Sequence, residues 1–274
     1  MANVEATRGA VTDGYLAAVG LERADPSLEF LSDLTRHHVG EFAFSSVDPR
    51  LGEPMPLDLA SLFDRIVVRR RGGYCFENNG LFFEVLGELG FSPRLQMSRV
   101  VLGRDIHPGL THRVARVVLD GREYLVDVGF GPLGPARPVP MNSGDASDEP
   151  FPGAYRVHPA GVAVHELQHV VDGSWFTLYR FDDMTYGQSD VEVGHFYSHL
   201  HPDAVFVNNL VTSRILDGEV RSLRNRDYWV IRDSETTSER IDDAERLHVL
   251  LTEELGVQVT ADECDRLFAA LPPA

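Results

Sequence analysis

The sequence predicts an α+β, multi-domain protein with a helical part over residues 1–90, a β-rich part over 91–205 and a mixed part over 206–274. Two observations carry this prediction. Apolar residues recur at helical spacing as far as Gly90, and after Phe91 they alternate at period two between short Asp-Gly turns.

In residues 12–40, Tyr15, Leu16 and Val19 and then Leu28, Phe30, Leu31 and Leu34 fall at helical spacing, with Pro26 near the start of the second run. Residues 57–68 form a further candidate helix. Residues 74–89 form a stronger one, with Phe82, Phe83, Val85, Leu86 and Leu89 on one face and Gly90 at the stop. Strands are expected at 94–102, 111–119, 123–130, 161–171 and 174–181, with Asp120-Gly121 and Asp172-Gly173 as hairpin turns. Residues 132–152, rich in proline, glycine, serine and acid, read as a long surface loop. In the last part, 218–220 and 228–232 suggest strands, and 241–255 and 260–271 suggest helices.

All 25 basic residues are arginine, which excludes chemistries that need a lysine: P-loop phosphate binding, a pyridoxal-phosphate Schiff base and the kinase ATP contact. The 42 acidic residues set the net charge at −17, and protonating all 11 histidines leaves it negative. Such a chain repels phosphate backbones and anionic lipid, so neither a nucleic acid nor a membrane is expected as partner. Residues 1–27 hold no apolar run of signal-peptide length, and no window approaches eighteen apolar residues. With only Cys75 and Cys264, far apart, a disulfide framework is not expected and the chain reads as cytoplasmic.

The sharpest local feature is Arg69-Arg70-Arg71-Gly72-Gly73-Tyr74-Cys75-Phe76-Glu77, a cysteine at the mouth of an apolar helix behind two glycines. Unpaired amides at a helix N-terminus favour a thiolate, and the glycines should leave N–H groups free for an oxyanion. A thiol nucleophile needs an imidazole beside it. If Asp120-Gly121 is a two-residue turn, Val118 faces Glu123, Val114 faces Asp127 and His112 faces Gly129. His112 and Asp127 then share one face as diagonal neighbours about 7–8 Å apart. The carboxylate can hold one ring nitrogen and leave the other for a thiol. One arginine of the 69–71 run is expected to brace this loop against a carboxylate.

Two patterns imitate metal sites. His165-Glu166-Leu167-Gln168-His169 matches HExxH, which binds zinc only on a helix, whereas its β-branched flanks predict a strand with the histidines about 13 Å apart. His195, His199 and His201 lack a carboxylate or cysteine partner in sequence and read as surface histidines. No metal site is expected. Cys264, within a helical pattern, reads as buried apolar filler.

Together these motifs resemble the arylamine N-acetyltransferase family, whose signature Arg-Gly-Gly-Tyr-Cys stands here as Arg71 to Cys75. Thr111-His112 matches its histidine strand, and residues 124–131, Tyr-Leu-Val-Asp-Val-Gly-Phe-Gly, match without a change. The resemblance runs from about Tyr15 to Leu271. It implies a helical bundle carrying the cysteine, a central β-barrel carrying the histidine and aspartate, a C-terminal α/β lid and a cysteine-protease-like catalytic core. It further implies a catalytic triad of Cys75, His112 and Asp127. The ping-pong reaction would carry acetyl from acetyl-CoA, as co-substrate with no tightly bound cofactor, to a small aromatic amine, a hydrazine or an N-hydroxyarylamine. Phe44, Val100, Phe130 and Phe206 would line the acceptor pocket, and Thr111 and Gly131 would lie by the cofactor. No oligomeric state is implied. The chain departs from the family at Ala43-Phe44-Ser45-Ser46, where Pro-Phe-Glu-Asn is usual, and at Pro132, where a second glycine is common. A related branch with the same triad closes amide bonds on carrier-bound polyketide chains and stands as the alternative.

Overall fold

A computed structural model describes residues 2–141, 146–147, 151–232 and 235–272, with side chains from residue 8 onward. Its first part consists of α1 (Ala2–Val19), α2 (Leu28–Glu41), β1 (Phe44–Ser45), α3 (Val47–Leu51), α4 (Leu59–Phe63) and α5 (Cys75–Glu88). Ser27 caps α2 by accepting from the Phe30 N–H, and α4 runs on as a π-helical turn, Asp64–Val68. The expected stop at Gly90 is real, with φ at +86°.

One element of this part was not expected. Phe44–Ser45 is extended and pairs antiparallel with a strand of the last part, Phe44 opposite Ser213. Two residues are too few for a period to show, and the partner lies far along the chain.

The middle part holds β2 (Arg94–Val100), β3 (His112–Leu119), β4 (Arg122–Val126), β5 (Val139–Pro140), β6 (Tyr155–Gly161), β7 (Val164–Val171) and β8 (Ser174–Asp182). They form a seven-stranded sheet in the order β5-β4-β3-β2-β8-β7-β6, and its two edges, β5 and β6, touch. The sheet is therefore barrel-like and nearly closed. Both Asp-Gly turns put the two residues at positive φ, 50° and 72° at Asp120-Gly121 and 50° and 74° at Asp172-Gly173. That is the twist a two-residue hairpin needs. β6 was not expected: Pro159 and Gly161 break its pattern, and an edge strand tolerates both. Residues 127–130, expected as strand, leave the sheet. Of the expected loop, 139–140 form β5, while 142–145 and 148–150 lie outside the described residues.

After β8 come α6 (Gln188–Leu200) and α7 (Val205–Asn208), which lead into a last part with β9 (Val211–Leu216), β10 (Glu219–Arg224), β11 (Asp227–Arg232), β12 (Glu235–Arg240), α8 (Ala244–Val249) and α9 (Ala261–Ala270). The second sheet runs β1-β9-β10-β11-β12. β12, Glu-Thr-Thr-Ser-Glu-Arg, carries no apolar alternation and is held as a strand by its backbone pairing with β11. Among the described residues no helix is long and apolar enough to cross a membrane.

Both faces of β3 are buried, and this positions the site. Ala115 and Val117 pack with Leu81 and Val85 of α5, whereas Val114 packs with Leu167, Leu178 and Tyr179 inside the barrel. Each fully buried aliphatic side chain of this kind contributes about 1.5–3 kcal/mol, so α5 is firmly seated on the outside of the sheet.

Candidate active site

Cys75 is the first residue of α5 and is buried at its N-terminus. Its approach loop is tightly docked. Gly72 has φ +67°, and a Cβ there would come within 2.6 Å of the Ala43 carbonyl oxygen, so the Gly-Gly pair lies flat along β1. The Gly73 N–H donates to Ala43 O at 3.2 Å, and Gly73 O accepts from Ser45 N at 2.9 Å. The Gly73 amide is thus spent on the fold; the expectation that it would be free for an oxyanion is corrected.

The hairpin register predicted from Asp120-Gly121 holds from Leu119 opposite Arg122 to Ala115 opposite Val126. There β4 ends, so the expected ladder pairs of Val114 with Asp127 and His112 with Gly129 do not form. The chain turns towards α5 instead. Gly129 sits so close that a Cβ would lie 2.8 Å from the Cys75 Cα. Asp127 still meets His112, with Oδ2 accepting from the ring Nε2 at 2.7 Å. Nε2 therefore carries a proton, and Nδ1 is the ring nitrogen left for Cys75. The thiol also reaches the Thr111 carbonyl at 3.5 Å.

The Asp127 carboxylate accepts three further hydrogen bonds: Oδ1 from Asn79 Nδ2 at 2.8 Å and from Gly129 N at 2.9 Å, and Oδ2 from the Tyr179 hydroxyl at 3.1 Å. Burial alone would raise this carboxyl, but the charge and hydrogen bond of His112, with Asn79 and Gly129, outweigh it and hold the group below its ordinary range. Burial likewise pulls the His112 imidazole down, and the Asp127 charge and the hydrogen bond the ring donates to it, with Cys75 adding to them, overcome it and lift the ring to about 10. A buried carboxylate with four donors stays ionised, fixes the orientation of the ring and favours its charged form.

Asn79 and Tyr179 were not among the residues predicted for the site. Asn79 stands four residues after Cys75 and so shares its helix face, a spacing that could have revealed it. Tyr179 reaches Asp127 only because β8 pairs with β2, a contact no local pattern announces.

Of the predicted pocket residues, Phe44 and Phe206 meet at a tilt with centroids 5.6 Å apart, and Phe130 meets the His112 ring edge-on at 5.2 Å. Gly131 lies against Phe44: a Cβ on it would be 3.5 Å from the ring. Val100 pairs with Tyr179 at the end of β2.

All three arginines of the 69–71 run are paired, Arg69 with Asp64, Arg70 with Glu41, and Arg71 with Asp48 and Glu263. Arg71 and Arg65 are buried, and Arg65 joins Asp48 at 3.3 Å and pairs with Glu77 in the first turn of α5. A chain of alternating charges thus runs from the α5 N-terminus to α9.

The segment 165–169 lies in β7, as its flanks predicted. Cys264 is buried in α9, also as predicted. The assignment of His195 to the surface is corrected: it is buried in α6 with both ring nitrogens bonded.

A nearly closed barrel carrying an imidazole–carboxylate pair is packed on a helix that begins with a buried thiol, an arrangement able to support acyl transfer. A family model described as N-acetyltransferase matches residues 27–264. An arylamine N-acetyltransferase of Mycobacterium tuberculosis is 38% identical over 244 residues, covering 86% of this chain and 84% of that protein. An arylamine N-acetyltransferase / N-hydroxyarylamine O-acetyltransferase of Salmonella typhimurium is 31% identical, covering 85% and 84%. Among solved structures, Mycobacterium marinum arylamine N-acetyltransferase in complex with CoA superimposes with a TM-score of 0.89 at 33% identity, covering 94% of this chain and 99% of that one. The chain belongs to the arylamine N-acetyltransferase family.

Proposed function

We propose that this protein is an acetyl-CoA-dependent arylamine N-acetyltransferase that works through a thioester on Cys75. The observation that carries the assignment of roles is the convergence of a buried cysteine, the His112 ring and a fully hydrogen-bonded Asp127 at one helix N-terminus.

In the first half-reaction Cys75, its proton already held on the His112 ring, attacks the acetyl carbonyl carbon as a thiolate. The carbon–sulfur bond to CoA breaks, and the departing CoA thiolate recovers that proton from the imidazolium. In the second, an amine nitrogen attacks the thioester, His112 takes its proton, and Cys75 leaves as the thiolate. The products are an N-acetyl amide and free CoA. Asp127 remains ionised throughout and stabilises the imidazolium.

Phe44, Phe130 and Phe206 form the aromatic wall for a flat acceptor such as an arylamine, a hydrazine or an N-hydroxyarylamine, with Val100 beside it. Thr111 and Gly131 lie where the CoA arm approaches the sulfur. This reading takes 1–90, 91–205 and 206–274 as bundle, barrel and lid around the site, with β1 as the strap that ties the first to the last. It also places the enzyme in the cytoplasm, in keeping with two free cysteines.

The test is turnover of acetyl-CoA with a panel of anilines and hydrazines, read as free CoA, together with peptide mapping after brief exposure without acceptor. With no lysine in the chain, acetyl mass is expected on the Cys75 peptide. Label on Cys264 alone, or full turnover by Cys75→Ala, would overturn the assignment.

A further inference from the structure

Tyr74, the residue before the thiol, has a fully buried side chain whose hydroxyl donates to His195 Nδ1 at 2.6 Å. The other ring nitrogen of His195, Nε2, donates to the Met55 carbonyl at 2.8 Å. A carbonyl only accepts, so the ring is the Nε2–H tautomer and Nδ1 is free to receive the phenol proton. Burial, with the charge of His199 and Arg65 added, pushes this imidazole down to about 4, so it is neutral at ordinary pH.

The backbone of Tyr74 is clamped as well. Its N–H donates to Glu77 Oε2 at 3.2 Å, and its carbonyl accepts from Glu77 N at 3.0 Å and Asn78 N at 2.9 Å. Its ring meets Phe206 edge-on at 5.3 Å. Helix α6 is pressed equally hard against the histidine side of the site. A Cβ on Gly194 would lie 2.4 Å from the carbonyl oxygen of Leu110, two residues before His112, and 2.9 Å from the Phe76 ring. One helix thus braces both the thiol and the imidazole, and its polar link to the thiol side is His195.

We infer that His195 is a positioning residue for acyl transfer: through Tyr74 it fixes the Cys75 sulfur against His112 and holds the aromatic wall at Phe206. This rests on the assignment of Cys75 as the acyl acceptor. The tie works through Nδ1; Nε2 only anchors the ring. Loss of the Nδ1 acceptor leaves a buried hydroxyl unpaired and loosens the side chain of the residue next to the sulfur, and displacements of about 1 Å at a reacting centre cost up to ~100-fold in rate.

Two substitutions separate the nitrogens. Asn places an acceptor oxygen where Nδ1 stands and abandons Met55; Gln reaches Met55 and abandons Tyr74. The readout is single-turnover acetylation of Cys75 by acetyl-CoA in the full chain, followed by intact mass, with thermal melts alongside. His195→Gln is expected to slow acetylation about 10-fold with donor KM little changed, Tyr74→Phe to do the same, and the double variant to be no slower than either. His195→Asn should recover most of the rate although its melt falls as far as that of His195→Gln. Equal loss in Asn and Gln, or wild-type rates in Gln or in Tyr74→Phe, would overturn the inference while leaving Cys75 as acceptor. Acetyl on another residue of the wild-type chain would instead sink the proposed function itself.

Discussion

Asn79 staples the helix of the thiol to the carboxylate of the histidine pair: its Nδ2 donates to Asp127 Oδ1 at 2.8 Å and to Arg113 O at 2.6 Å, and its Oδ1 accepts from Val128 N at 2.9 Å. The same side chain therefore holds α5, β3 and the chain leaving β4. Asn79→Ala takes a partner from Arg113 O on β3 and from Asp127 and Val128 after β4; Asp127 keeps its other donors, and a buried group left unpaired costs about 1–3 kcal/mol. The expected outcome is a stability loss of about 1–3 kcal/mol in urea unfolding, with acetylation of Cys75 slowed in the protein that remains folded. A variant as stable and active as wild type would refute the staple.

Asp127→Asn keeps the shape and removes the charge. Every donor around it, from His112, Tyr179, Asn79 and Gly129, is aimed at a carboxylate, so an amide nitrogen must face at least one of them. His112 then loses both its fixed orientation and the charge that lifts it. A fall in kcat/KM of about 10³–10⁴ is expected. A fall below tenfold, measured with acetyl-CoA and an aniline, would show that the carboxylate does not orient the ring.

His38, wholly buried in the helical core and bonded to the Tyr15 hydroxyl at 3.0 Å, is pushed by burial down to about 3. Below pH 6.5 the unfolded chain takes up a proton there that the folded chain refuses, so this residue lowers stability as the pH falls from 6.5 towards 3. His112 has the opposite sign: its folded value is raised, so its contribution is present below pH 6.5 and is lost as the pH rises towards 10. The expected result is that His38→Gln flattens the acid limb of the stability profile by up to ~1.4 kcal/mol per pH unit and leaves the alkaline limb alone. Urea midpoints between pH 4 and pH 9 check this, and parallel acid limbs would count against it.

Much of the site was legible because it is local. The Asp120-Gly121 turn set the β3–β4 register, and that register brought His112 and Asp127 to one end of one hairpin even though β4 ends at Val126, one residue before Asp127. Cys75 announced itself through two glycines and an apolar helix. What escaped depends on pairing across the chain: Tyr179 through β8 on β2, the strand β1 through its pairing with β9, and the burial of His195 through a helix laid against residues 55 and 74. A histidine without a sequence neighbour looks solvated until its helix is placed.

Arg71 gives a prediction about the fold. The family signature places an arginine ahead of the glycine pair, and here it donates to Asp48 through Nε at 3.0 Å and Nη2 at 2.6 Å, and to Gln258 O and Glu263 Oε2 at 3.0 Å each. Arg71→Met strands the buried Asp48 beside Arg65 alone, which costs about 3–5 kcal/mol when one member of a buried pair is removed. Arg71→Lys keeps the charge but cannot span two carboxylates and a carbonyl with one ammonium, so it should recover only part of that loss. Unfolding free energies in the order wild type, Lys, Met are expected, with Cys75 acetylation falling in step as the loop before α5 loosens.

Gly129→Ala tests the close approach on which the whole site turns. The added Cβ would lie 2.8 Å from the Cys75 Cα and from Asn79 Nδ2, and the first of these is backbone, which cannot swing aside. Either α5 or the segment after Asp127 must move, and overpacking of this kind costs about 1–3 kcal/mol. The larger effect should be on rate, because the displacement separates the very elements that carry the thiol and the carboxylate. A loss of about 100-fold in Cys75 acetylation is expected with the barrel still folded, as judged by circular dichroism. Wild-type acetylation in this variant would mean that the contact between α5 and residues 127–130 does not set the distance between sulfur and imidazole.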